Sequence, residues 1–215
     1  MSLANRPFWF AGLAIAQLFY ALIAIWIDLS QGTGVAVLAA LIGAALCFDN
    51  GVIAAGGPLL ARGSLESLSR CRYALHVILT PLLLPLCLLL ASQAGLQLLP
   101  PLLLGGWLFA LGWIAAGWWL SYRNLDLVLL QQGPLVRFHN RNKGGQPWLR
   151  LLLVWLTLLI ASLSFVVPNH AAAWGFRLGS LAMLCGAMLA RRVGLVAGNA
   201  GELMLMAGFN LALLS

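Results

Sequence analysis

Apolar runs of about twenty residues, the length that crosses a bilayer, recur seven times in this 215-residue chain, separated mostly by short polar gaps. Such a run in lipid has no water to satisfy its peptide groups, so it must close its own hydrogen bonds as a helix. The runs are Pro7–Ile27, Gly34–Gly57, Arg72–Ser92, Leu98–Ser121, Trp148–Val167, Ala172–Ala190 and Val193–Leu214. The expected fold is therefore all-α: a polytopic integral membrane bundle of seven transmembrane helices forming a single domain over residues 1–215. Composition agrees. Apolar residues make up 62% and charged residues 8%, whereas soluble domains run near 45–50% and about 25%. So few charges cannot cover a water-facing surface. The first run is too long for a signal-peptide core, and Ile27-Asp28-Leu29-Ser30 offers no small-residue cleavage site.

The net charge of +7 is distributed as a topology signal and not as a nucleic-acid footprint. Arg62, Arg70 and Arg72 follow the second run. Arg123, Arg137, Arg141, Lys143 and Arg150 follow the fourth, and Arg191 and Arg192 follow the sixth. The alternate gaps carry almost no Lys or Arg; Arg177, inside the sixth run, is the exception. The positive-inside rule makes the basic gaps cytoplasmic, with the N-terminus inside and the C-terminus on the opposite side. The one long connection, about residues 122–147, should lie partly on the membrane surface through LDLVLLQQGPLVRF and end in a flexible basic turn. Arg72, Arg137, Arg141 and Lys143 are candidates for contact with lipid head groups or phosphate.

Two carboxylates interrupt this apolar background. Asp49 lies in the second run and Glu202 in the seventh. An acid at membrane depth is costly and by default marks function. Helix rise puts them at similar depths, ~12 Å and ~14 Å from the cytoplasmic boundary. Asn50 adjoins Asp49, and Asn199 shares a helix face with Glu202 at i, i+3. Arg72, His76 and Thr80 form an i, i+4, i+8 stripe on the third run, where Pro81 and Pro85 free backbone carbonyls. A polar pocket between the second, third and seventh spans is expected. Asp49 and Glu202 are its candidate catalytic pair, with Asn50, His76, Thr80 and Asn199 binding or orienting the substrate.

The corresponding function is a membrane-embedded enzyme acting on a lipid or isoprenoid-like substrate by carboxylate acid/base chemistry. A transporter or channel for protons or a small solute would use the same acids as its path. A non-catalytic assembly or scaffold protein would use the small-residue helix faces, which also leave room for a homo-oligomer. Expected partners are membrane lipids and an apolar or amphipathic small molecule. No residue pattern names a cofactor. Asp49, His76 and Glu202 have no metal-ligand spacing, there is no DDxxD, HxxxH or GxSxG, and no two cysteines stand as CxxC.

Overall fold

The computed structural model describes residues 6–142 and 146–214, with the side chains of 146–150 and 191 not described. The fold is all-α, 79% helical, so its one β-hairpin is a local insertion and not a second layer. Among the described residues eight α-helices follow in order: α1 (Pro7–Gln31), α2 (Val35–Ala54), α3 (Gly56–Ala61), α4 (Leu65–Gln93), α5 (Pro100–Gly117), α6 (Gln146–Leu163), α7 (His170–Val193) and α8 (Leu195–Leu213). A π-helical turn, Trp118–Tyr122, continues α5, and strands β1 (Leu127–Gln132) and β2 (Leu135–Asn140) sit between it and α6.

Among the described residues five helices are long and apolar enough to cross a membrane: α1, α2, α4, α5 with its π-turn, and α7. This points to a multi-pass membrane protein. Of the other two expected spans, α6 contains a shorter apolar stretch, Leu151–Leu163. The last, α8, carries Asn199, Glu202 and Asn210 and falls outside the five. Outward-facing side chains are strongly apolar. On α1 they include Phe8, Ile15, Phe19 and Leu29, and α5 buries only Gly106 and Ala110. Apolar surface that extensive suits lipid and not water.

Local chemistry accounts for the helix ends. Pro7 opens α1, where its missing N–H is no loss. Gly32 closes it in the left-handed region and donates to the Asp28 carbonyl, and the Asp28 carboxylate accepts the Gly34 N–H at 2.8 Å. Asn169 caps α7 by accepting from the Ala171 and Ala172 N–H groups.

α1 packs on α2 and α8, α2 on α4, α4 on α5 and α6, and α7 on α6 and α8. The α7–α8 pair is the tightest. One residue, Gly194 at φ 110, links the two helices, and their glycines face one another. A Cβ on Gly208 would overlap the Gly175 carbonyl, and one on Gly186 would lie 2.6 Å from the Ala197 oxygen.

Two expectations are refined. The helix that contains the Arg72–Ser92 run begins seven residues before Arg72, at Leu65, because the charged stretch LESLSRC is itself helical, with Glu66 and Arg70 paired at i, i+4. Arg72 is thereby carried ~10 Å along the helix from its start. LDLVLLQQGPLVRF does not lie as a simple surface segment. It folds back as an antiparallel hairpin running from Leu127 opposite Asn140 to Gln132 opposite Leu135. The two-residue loop is Gly133-Pro134, with Gly133 at φ 65, the positive φ that such tight hairpin loops require.

Gly208→Val should separate α7 from α8 and destabilise the bundle by about 1–3 kcal/mol, the usual range for overpacking. The check is a lowered melting temperature of the detergent-solubilised protein. Substituting Gly12, where added atoms meet open space, should leave melting within error.

Candidate functional site: a buried charge and amide cluster

The centre of the site is the Asp49 carboxylate. Arg72 Nε donates to Asp49 Oδ1 at 2.8 Å, and His76 Nε2 lies 3.2 Å from the same oxygen. Asp49 and Arg72 are 5% and 7% exposed, which makes this a buried ion pair joining α2 to α4. Burying two charges is expensive, so the value of the pair lies in its geometry and in the penalty for losing one partner.

One residue along α2, an amide relay runs across three helices. Asn199 Nδ2 on α8 donates to Asn50 Oδ1 at 2.7 Å, and Asn50 Nδ2 donates to Gln17 Oε1 on α1 at 2.8 Å. All three side chains are buried. Each amide in this relay would otherwise leave polar atoms unsatisfied at ~1–3 kcal/mol apiece. Gln17 belongs to the cluster although sequence reasoning passed over it. Its signal was available, since it is the lone amide in the apolar interior of α1.

Beside the ion pair lies a narrow slot, a cavity of about 50 Å3. Arg72, His76, Thr80 and Glu202 line it together with apolar side chains such as Ile42, Leu79, Leu83 and Leu205. α2, α4 and α8 form its walls as expected, with Leu153 of α6 and Met183 of α7 completing it. Glu202 shares the slot lining with Arg72 and His76. Its Oε2 is buried with no hydrogen-bond partner among the described residues, and Arg72 Nη1 is left in the same condition.

The hairpin closes over one end of this cluster. A Cβ on Gly56 would overlap the Val136 carbonyl, so β2 lies directly on the start of α3. Leu135 packs with Phe10 and Ile53, and the Asn140 N–H donates to the Tyr73 hydroxyl of α4 at 3.0 Å. Arg137 shares the strand face of Leu135, which turns it toward the bundle. Its Nε is buried without a partner. Burial holds Arg137 below the usual arginine value; Tyr73 and Asp49 oppose that shift and Arg72 adds to it.

The four expected head-group contacts thus separate. Arg72 is buried on Asp49, and Arg137 faces the cluster. Arg141 is exposed and paired with Asp126 at 2.8 Å, and Lys143 lies outside the described residues. Arg177 is remote from the cluster, donating to the Ser164 carbonyl at 3.0 Å with its guanidinium over Phe165 and Trp174. Among the described residues no His, Cys, Asp and Glu group is arranged to hold a metal ion.

The class to which these features point is a multi-pass helical membrane protein with a largely apolar slot, charged at one end, inside the bundle. No family model matches the chain, and neither a curated protein nor a solved structure is significantly similar to it.

Arg72→Met should cost about 3–5 kcal/mol by stranding the Asp49 charge. The double variant Asp49→Asn/Arg72→Met should cost less than Arg72→Met alone. A melting-temperature double-mutant cycle checks this, and additive losses would contradict the pairing.

Proposed function

We propose that this chain is a seven-span integral membrane protein with its N-terminus cytoplasmic and its C-terminus on the opposite side, α6 and α8 completing the five apolar spans. We further infer that it is an enzyme converting a lipid or isoprenoid-like substrate by acid/base chemistry. The basic side chains support the orientation. Arg62 and Arg70 near the α3–α4 junction, Arg123, Arg137 and Arg141 around the hairpin, and Arg192 before α8 belong to alternate connections, which an up-down bundle gathers at one end.

The single observation carrying the enzymatic reading is that Glu202, with a carboxylate oxygen free of partners, and His76, braced by Asp49, line one largely apolar slot. The geometry redistributes the roles of the two acids. Asp49 is committed to Arg72 and His76, so it serves as the orienting carboxylate. Holding one imidazole nitrogen fixes the ring and leaves the other to exchange a proton with substrate. Glu202 is the opposing proton donor or acceptor. Together they would deliver a proton to one carbon or oxygen of the substrate and remove one from a neighbouring atom, as in an isomerisation, with no net change in protons. Thr80 lies along the slot, while Asn50 and Asn199 hold α2 and α8 in register.

A conduit for protons or small solutes is less well supported. Along the slot, Leu79, Leu83, Leu205 and Met206 follow the charged end, and Asn210, the polar residue farther along α8, donates to the Met206 carbonyl of its own helix.

The test compares lipids from membranes containing the wild-type protein with those from membranes containing Glu202→Gln or Asp49→Asn, read by mass spectrometry. The purified protein is then incubated with the lipid that changes. Conversion should fall about 10²–10⁴-fold in Glu202→Gln, the contribution of a positioned acid or base. Retained conversion in both variants overturns the reading, and ion flux through protein-containing liposomes without any conversion would favour the conduit.

A further inference from the structure

We propose that Arg72 and Arg137 form a binding site for the anionic head of an amphiphile, a phosphate-class oxyanion, with the β1–β2 hairpin as the cover that supplies the second cation. The proposal rests on reading the slot as a substrate site and names the polar end of what enters it.

Four observations converge. Arg72 is more than nine-tenths buried, lines the slot, and spends Nε on Asp49 while Nη1 has no partner. Arg137 likewise presents a buried Nε without a partner. The strand that carries Arg137 is hydrogen-bonded to Tyr73, the neighbour of Arg72 on α4, and among the described residues Asp49 is the carboxylate bonded to Arg72. Finally, the slot is amphipathic, with its charges gathered near Arg72 and His76 and leucines beyond.

Two arginines with spare donors make poor neighbours without an anion between them and good ones with it. The guanidinium fork matches the geometry of phosphate and carboxylate oxygens, and phosphate carries enough charge to satisfy two cations. The slot is narrow, which suits a single alkyl or isoprenoid chain behind such a head. Arg141 is not part of this site, because Asp126 already holds it at the hairpin's exposed end.

The hairpin is built to hold Arg137 in place. Gly56 lets the Val136 carbonyl approach the bundle, Tyr73 accepts the Asn140 N–H, and Leu135 is sunk between Phe10 and Ile53. Arg137 is therefore a positioned cation and not a loose surface arginine.

The experiment uses the full-length protein in nanodiscs of phosphatidylcholine. Thermal stabilisation and direct binding are measured with a long-chain alkyl phosphate, with the uncharged alcohol of the same chain length, and with inorganic phosphate alone. The alkyl phosphate should bind at least tenfold more tightly than the alcohol. Arg137→Gln should lose at least tenfold of that affinity, Arg137→Lys should recover part of it, and Arg141→Gln should bind as wild type. Binding of inorganic phosphate alone, as tight as the alkyl phosphate, supports the oxyanion site with a free anion as its source; dependence on the chain identifies a lipid head. Equal affinity for alcohol and phosphate, or unchanged binding in an Arg137→Gln protein that melts like wild type, overturns the proposal. Wild-type protein that binds the alkyl phosphate but converts no lipid refutes the enzymatic reading while leaving the head-group site standing.

Discussion

The Asp49–Arg72 ion pair joins the two helices on which the interior of this protein is organised. In lipid an unpaired carboxylate or guanidinium has no solvent to fall back on, so each fixes the position of the other. With α2 and α4 set by that contact, His76 is delivered to the same carboxylate oxygen and Asn50 is presented toward α1 and α8. The slot is the space that remains between these anchored helices. Its polar end exists because the pair and the amide relay start from consecutive residues of α2, Asp49 and Asn50.

The bundle combines two modes of cohesion. α7 and α8 approach through glycines, where close backbone contact supplies dispersion along the whole length. α1, α2, α4 and α8 are joined by a small number of strong polar contacts near one level. Glycine contacts hold helices together with little chemical consequence, whereas the polar ones gather reactive groups.

Much of the site was legible because an apolar background makes each polar residue conspicuous. Asp49, Asn50, His76, Thr80, Asn199 and Glu202 were all identifiable, and the helix limits of α1, α2, α7 and α8 came within a few residues. The partner of each residue was not legible, since lateral contact depends on helix rotation and packing over separations as long as 149 residues. The bond from Arg72 to Asp49 was not legible, because hydropathy marks where a segment is apolar and not where its helix begins. The hairpin was missed for a related reason. LDLVLLQQGPLVRF has the composition of a surface-seeking segment, and although Gly133-Pro134 is a turn signal, strand pairing is settled by the partner strand. Gln17 was overlooked only because amides attract less notice than acids.

The single-residue link at Gly194 bears on how the chain is assembled in the cell. A segment with Asn199, Glu202 and Asn210 is a weak candidate for entering lipid unaided from the translocon. Joined so closely to α7, it would insert as the second limb of a helical hairpin, sheltering its glycine face before it meets the rest of the protein. Its Asn199 amide would then dock onto an Asn50 already in place on α2. Docking of α8 would thus be the step that completes the polar cluster, and intermediates truncated before α8 would carry no assembled cluster in the membrane.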